Sequence, residues 1–482
     1  MGDPRGIYMI NGVLVVMLGL AMLVPAAVDL AVDNPDYRVF LLGAALCCFA
    51  GGTLLTATWR ERPGLTLRQT FILTTSVWLV LPAFAALPFV LSGLGLSYTD
   101  AFFEAMSGLT TTGATVITGL DTAPPGILLW RAILQWLGGV GIIVTAIAVL
   151  PMLRVGGMQL FRTESSEKTD KALPRAAQIA AATTVIYLLL SLACVLALWL
   201  AGLGMFDAVA HAMTTVATGG FSTRDGSVGH FANPQVEWTV TGFMILGSLP
   251  FVLYLQAVRG RPLLLWRDTQ VRWFFITLGG LVGLVFLLTE VSGRHEPVEA
   301  LRLSLFNVTS IMTGTGYAAA DYGGWEGSAT VLFFFITMIG GCAGSTSCGI
   351  KIFRFRVLFE TLRVQLQQLV RPNAVSVPRY SGRPLETHVT DAVMGFFVLF
   401  ALSFGVLAFL LTLTGLDATT SLSGAATALA NVGPGLGETI GPSGTFKPLP
   451  DSAKWLLAAG MLIGRLELFT VLVLFTRRFW AA

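Results

Sequence analysis

The feature that most constrains how this chain can fold recurs four times along it. A long apolar run leads into a short, more polar stretch that ends in a glycine-bearing turn, and a second long apolar run follows. The short stretches are 98–109, 205–216, 297–312 and 417–430. Each is well under the ~20 residues that a membrane-spanning helix needs. Their turns are Thr110-Thr111-Thr112-Gly113-Ala114, Ala217-Thr218-Gly219-Gly220-Phe221, Gly314-Thr315-Gly316-Tyr317 and Asn431-Val432-Gly433-Pro434-Gly435. With Gly113, Gly219, Gly316 and Gly433 taken as equivalent, the turns lie 106, 97 and 117 residues apart. That is an internal repeat carried by position more than by identity.

The flanking runs predict spans near 70–91 and 127–150, 176–200 and 236–258, 273–291 and 328–352, and 389–413 and 453–476. Two further apolar runs, 7–28 and 39–57, form a hairpin ahead of the first unit, and the first of them reads as a retained helix and not a cleaved leader. The chain is 54% hydrophobic and 12% charged, against about a quarter charged in soluble domains. The fold class expected is an all-α polytopic membrane protein. It has four helix–pore-loop–helix repeats in a pseudo-fourfold arrangement plus an N-terminal two-helix hairpin. The expected divisions are 1–62, 63–153, 154–259, 260–370 and 371–482.

Charge placement gives an orientation. Of 30 Lys and Arg residues, 22 fall in the tails and connectors opposite the short helices. Among these are Arg60, Arg62, Arg154, Arg162, Lys168 and Lys171, while Arg131 and Arg294 count on the short-helix side. The positive-inside rule then puts both termini in the cytoplasm and the four turns outside. This works only if the short helices dip in and return, which gives ten full spans and four re-entrant hairpins. The same spread of basic residues excludes a nucleic-acid surface. The five cysteines, Cys47, Cys48, Cys194, Cys342 and Cys348, show no metal-ligand spacing and read as small apolar packing residues. His211, His230, His295 and His388 show none either. No metal motif, nucleophile elbow or paired catalytic carboxylates appear, so no enzyme and no organic cofactor are expected.

What four such turns can do follows from their backbone. Rings of carbonyl oxygens can replace the water of a dehydrated potassium ion. Glycine allows the left-handed φ that inward-facing carbonyls demand. Irregular backbone at membrane depth is tolerated only where it lines a cavity or is buried in protein. Short helices point their partially negative C-terminal ends at a cation. The competing reading, close packing of helices on small residues, suits one glycine better than four equivalent ones. The residues assigned to a filter that binds potassium are Thr111, Thr112, Gly113, Ala217, Thr218, Gly219, Gly314, Thr315, Gly316, Asn431, Val432 and Gly433.

These turns resemble those of the potassium-uptake superfamily of Trk, Ktr and HKT proteins, and most closely those of the bacterial TrkH subunits. Two further stretches are similar as well: 340–351, Gly-Gly-Cys-Ala-Gly-Ser-Thr-Ser-Cys-Gly-Ile-Lys, and Gly464-Arg465-Leu466-Glu467. The resemblance covers nearly the whole chain, the N-terminal pair included. It implies a pseudo-fourfold pore in one chain, a homodimer in the lipid of the bacterial inner membrane, and potassium uptake controlled by a cytoplasmic nucleotide-binding partner of the TrkA type. Potassium is then the substrate, driven by the membrane potential at ~2.3 kcal/mol per charge per 100 mV. Glycine at all four key positions argues against the sodium-transporting plant branch, where a serine stands at the first turn. The unequal residues after the key glycines predict a more modest preference for potassium than in a tetrameric channel. A sodium-coupled or sodium-selective relative is the first alternative. A secondary transporter with broken helices is the second, although such folds commonly show inverted repeats and these units share one orientation.

The resemblance also places an intramembrane loop under the filter, at 340–349. Seven of those ten residues are Gly, Ala or Ser, which makes a poor helix. A flexible packing patch between helices is the competing reading, which the resemblance outweighs. Gate residues are expected to be Gly340, Gly341, Ala343, Gly344, Ser345, Thr346, Gly349 and Arg465. Arg465 is basic inside an apolar run, where a charge costs at least ~2.5 kcal/mol. It reads as a barrier to cations, a latch for the loop, or a partner of Glu467. Glu104, Asn307 and Asn431 are expected to bond to turn backbones. The acids Asp100, Asp207, Glu299 and Asp417 are expected to cap the short helices, and Asp321, Glu326 and Glu438 to sit in external connectors. Finally, Val357, Leu358, Leu362, Leu366, Leu369 and Val370 make an amphipathic face for the membrane surface or a partner.

Overall fold

The computed structural model describes residues 3–58, 66–148, 172–293, 296–325, 327–373 and 376–481. Glu326, Arg294, His295, the basic residues Arg60, Arg62, Arg154, Arg162, Lys168 and Lys171, and the proposed boundaries at 62/63 and 153/154 lie outside them. Among the described residues, seven helices are long and apolar enough to cross a membrane: Arg5–Ala31, Tyr37–Thr58, Leu67–Leu91, Pro125–Thr145, Gln178–Leu200, Thr269–Val291 and Thr387–Leu413. The first two pack as a hairpin on small residues. A Cβ on Gly51 would come within 2.6 Å of the Gly12 carbonyl oxygen, and one on Gly19 within 2.8 Å of the Cys47 Cβ. Such pairs let helix backbones approach closely in lipid.

The short helices form where expected, at Tyr98–Leu109, Met205–Val216, Pro297–Thr313 and Ala418–Ala430. Their starts differ from expectation. Only Asp417 is a side-chain N-cap, accepting from the Thr420 amide at 3.0 Å. In the first helix Ser97 takes that role, and Asp100 instead meets Lys454 Nζ at 2.6 Å. Asp207 accepts from Arg224 at 3.0 Å and from Thr223 at 2.6 Å. Burial alone would raise the Asp207 carboxyl, but these hydrogen bonds outweigh it and hold it below the ordinary carboxylate range.

The repeats close into a ring. The inner helix of the first repeat, Pro125–Ala148, packs on the short helix of the second, and Pro234–Gly247 on that of the third. Gly327–Met338 then packs on that of the fourth, and Asp451–Arg465 returns to that of the first. The inner helices also meet the short helices of their own repeats. A Cβ on Gly138, Gly247 or Gly464 would crowd the carbonyl oxygen of Leu109, Val216 or Leu429, the last turn of its own repeat's short helix.

Three inner spans are not the continuous helices that their apolar length suggests. The second bends by 92° between Pro234–Gly247 and Phe251–Val258, at Pro250, which cannot continue a helix. The fourth bends by 106° between Asp451–Arg465 and Phe469–Phe475, where Glu467 and Leu468 take positive φ of 62° and 49°. The third stops at Met338, and helix resumes only at Ile352–Val370. Ten crossings are reached only if these three broken spans each count as one. Beyond Val370 a two-stranded antiparallel hairpin pairs Arg379 with Pro384 and Tyr380 with Arg383.

Candidate functional site: a ring of four turns above an intramembrane loop

The short helices are largely buried towards their C-terminal ends; in the first, every residue from Ala101 to Leu109 is inaccessible or nearly so. They deliver four turns with one backbone pattern. Positive φ falls at Thr111 and Gly113, Thr218 and Gly220, Gly314 and Gly316, and Asn431 and Gly433. A backbone that alternates hand turns successive N–H groups to one side and carbonyls to the other. The pattern fixes the register. The second turn is Thr218-Gly219-Gly220, so Gly220 and not Gly219 is the equivalent of Gly113, and the repeat spacings become 107, 96 and 117. Ala217, with φ of −72°, stands one place earlier, alongside Thr110, Thr313 and Ala430.

In this register the ring closes on itself. A Cβ placed on Gly113 would collide with the carbonyl oxygen of Gly219, and one on Gly220 with that of Thr315. On Gly316 and on Gly433 it would come within 2.9 Å of the carbonyl oxygens of Val432 and Thr112. Each turn thus lays a glycine against the next turn's carbonyl, around four turns and back to the first. A side chain at any of the four glycines would fill the ring or push its neighbour out. An open cavity over it is lined by Gly113, Gly220, Gly316 and Gly433 with Arg224, Asp225 and Phe446.

The scaffold behind the ring is asymmetric, and the sequence reading missed its main part. Arg131 lies inside the first inner helix, 1% exposed. Its Nε donates to Glu104 at 2.8 Å, one terminal nitrogen to the Ser222 carbonyl at 2.7 Å and the other to Thr115 Oγ1 at 3.2 Å. Its guanidinium also sits 4.1 Å from the centre of the Phe221 ring. Glu104 in turn accepts from the Val116 amide at 2.9 Å. One helical turn on, Gln135 donates to the Gly219 carbonyl at 2.6 Å and accepts from the Phe221 amide at 3.0 Å. A basic residue and an amide four apart within an apolar run were the available signal, since both fall on one helix face. Elsewhere Asn431 donates to Thr112 Oγ1 at 3.0 Å and to the Met461 carbonyl at 2.9 Å. Asn307 accepts from the Ala319 amide at 3.1 Å. Tyr317 carries its hydroxyl to Thr214 and Thr215 of the second repeat.

Beneath the ring lies the segment 339–351, non-helical and tied on several sides. Its own ends are paired, with the Gly340 amide on the Ile350 carbonyl at 2.9 Å. Upward, Thr346 Oγ1 donates to the Val216 carbonyl at 3.0 Å and Ser347 Oγ to that of Thr313 at 2.6 Å. Sideways, the Gly344 carbonyl takes the Phe251 amide at 2.9 Å, and the Ala343 amide donates to Gln270 Oε1 at 2.9 Å. The Gly341 amide donates to Ser347 Oγ at 2.8 Å, while Ser345 Oγ donates back to the Cys342 carbonyl at 2.6 Å. Gly344 and Gly349 supply positive φ. Arg465, 3% exposed, reaches Cys348 Sγ at 2.6 Å, the Thr346 carbonyl at 3.4 Å and the Gly138 carbonyl at 3.3 Å. It does not pair with Glu467, which binds Arg354. Arg354 in turn lies 3.7 Å from the centre of the Phe396 ring. Lys351 extends its ammonium to the Ser347 carbonyl. A small polar cleft is lined by this loop with Asn431, Arg465 and Glu467.

Comparison with known proteins agrees with this geometry. Residues 37–481 match the family model described as TrkH, cation transport protein. The chain is 48% identical to the Trk system potassium uptake protein TrkI of Halomonas elongata, over 98% of this chain and 96% of that one. It is 40% identical to TrkH of Salmonella typhimurium over 99% of each. The crystal structure of the potassium transporter TrkH from Vibrio parahaemolyticus superposes with a TM-score of 0.91 at 38% identity, again over 99% of both chains. A multi-pass chain with four re-entrant turns, matched over its whole length in sequence and in fold, belongs to the TrkH family of cation transport proteins.

Proposed function

We propose that this chain is the pore subunit of a bacterial potassium-uptake system. Potassium enters through the ring of carbonyls at Thr112, Gly219, Thr315 and Val432, drawn in by the membrane potential. The observation that carries the reading is the closed cycle in which each turn's glycine abuts the next turn's carbonyl. Relatives named for potassium uptake at this level of identity support the choice of ion. The chain sits in the inner membrane with both termini cytoplasmic, in keeping with the basic connectors. The segment 339–351 is the gate: it hangs from the Val216 and Thr313 carbonyls directly below the ring, and Arg465 latches it through Cys348 and Thr346. A positive charge held there also opposes a cation. A second copy of the chain and a TrkA-type cytoplasmic regulator complete the system. The end of helix Ile352–Val370, where Leu366, Leu369 and Val370 are exposed, is the surface offered to that regulator.

The test is cation flux into proteoliposomes holding the purified chain, with potassium, rubidium, sodium and lithium compared. Wild type should favour potassium and rubidium, Gly316→Ser should erode that preference, and Arg465→Ala should raise basal flux. Sodium entry equal to potassium entry in wild type would overturn the choice of ion. A fall in flux for intact Arg465→Ala would overturn the latch.

A further inference from the structure

One corner of the molecule carries a basic surface that neither the ring nor the gate uses. The segment from Val258 to Arg272 connects the second and third repeats, and its arginines Arg259, Arg261, Arg267 and Arg272 are all exposed. None of these four makes an ion pair among the described residues. The nearest acid in sequence, Asp268, is already engaged as an N-cap, accepting from the Gln270 amide at 2.8 Å and the Val271 amide at 3.2 Å. The two-stranded hairpin brings Arg379 and Arg383, also exposed, to the same corner. It is fastened there by a hydrogen bond of 2.9 Å between Ser381 Oγ and Thr269 Oγ1.

The arginines are interleaved with bare apolar groups. Val258 is 79% exposed, Leu263 66% and Trp266 59%. Trp266 is nonetheless held in place. Its ring stacks on Phe275 with centroids 5.5 Å apart, and its carbonyl accepts from Arg272 Nε at 2.7 Å. Guanidinium groups beside a fixed, exposed indole and aliphatic side chains suit the boundary between headgroups and acyl chains. An acidic protein surface would match the charges but would leave the leucine, valine and tryptophan without a role.

We propose that this corner is a docking surface for anionic phospholipid, with the arginines on the headgroup phosphate and Leu263 and Trp266 against the acyl region. The surface adjoins the gate. Gln270, in the first turn of the helix Thr269–Ser292, holds the Ala343 amide of the intramembrane loop. A lipid seated on Arg267 and Arg272 therefore steadies the anchor of that loop.

Native mass spectrometry of the full-length chain tests the site, with phosphatidylglycerol and phosphatidylcholine of identical acyl chains as probes. Wild type should retain phosphatidylglycerol preferentially. The quadruple variant Arg259→Gln, Arg261→Gln, Arg267→Gln, Arg272→Gln should lose the preference, by about fivefold in affinity for each arginine removed. The matching Lys variant should keep it. Single Gln variants serve if the quadruple one fails to fold, as read from its melting in neutral detergent. Equal retention of both lipids by wild type, or unchanged phosphatidylglycerol retention in a folded Gln variant, would overturn the proposal. So would displacement of the lipid by millimolar inorganic phosphate, which would mark a simple anion site. Loss of regulator-dependent flux with lipid binding intact would assign the corner to a protein and overturn it too.

Discussion

Arg131 holds two turns of the ring with one planar group. Its Nε is committed to Glu104, and its terminal nitrogens go to Ser222 and Thr115. Lysine offers a point charge in place of that fork and would leave Glu104 buried with its charge poorly matched. Arg131→Lys is expected to destabilise the protein by roughly 1–3 kcal/mol and to narrow the difference between rubidium and sodium uptake. A thermal melt read beside competition uptake checks both; normal selectivity in a folded variant would show that the clamp is not needed. The register of the second turn makes a separate prediction. Gly219 would set a Cβ against the Gln135 amide, whereas Gly220 has φ of 79° and the Thr315 carbonyl in its way. In a Gln135→Ala background, Gly219→Ala should therefore be tolerated and Gly220→Ala should abolish uptake; the reverse pattern would restore Gly219 as the equivalent glycine. This register was not legible in the sequence because two glycines stand side by side, and only the backbone dihedrals choose between them. Arg131 was hidden for another reason: a charge near the end of an apolar run looks like a connector residue until its partners are seen.

At the scale of elements, the short helices were readable to within a residue. A polar stretch of fixed length between apolar runs, ending at Thr-Gly or Asn-Val-Gly, leaves few alternatives. The loop at 340–349 was readable from its glycines. The bends of the second and fourth inner spans were not read. Pro250 gave a local sign for one. For the other, at Leu466–Leu468, Gly464 stands just ahead of the break, and Arg354 holds Glu467 through an ion pair. The loop's suspension is open to test. Thr346 Oγ1 lies within hydrogen-bonding distance of two carbonyls, those of Val216 and Gly247. Thr346→Val keeps the shape and removes the donor, at a cost of about 1–2 kcal/mol to the held position. Basal rubidium uptake without regulator should rise, by up to about tenfold if that equilibrium limits flux. Unchanged uptake would show that the loop is held elsewhere.

For the molecule as a whole, the fourth repeat meets the first at a seam that completes the ring. Lys454, 4% exposed, crosses it to Asp100. Lys454→Met should leave the half-buried Asp100 with only the Ser97 hydroxyl, lowering the melting temperature and uptake together at a cost of about 1–3 kcal/mol. The swap Asp100→Lys with Lys454→Asp should recover part of both. Swapped and single variants that behave alike would show that the seam is held by packing alone.

Because the ring is drawn from one chain, its quarters are inherited separately. A channel assembled from identical copies can alter its narrow passage only four places at a time. Here a single codon changes one side and leaves three as they were, as the unlike residues Ala114, Phe221, Tyr317 and Pro434 behind the four glycines already record. If the ring selects ions as proposed, that selection can change one quarter at a time.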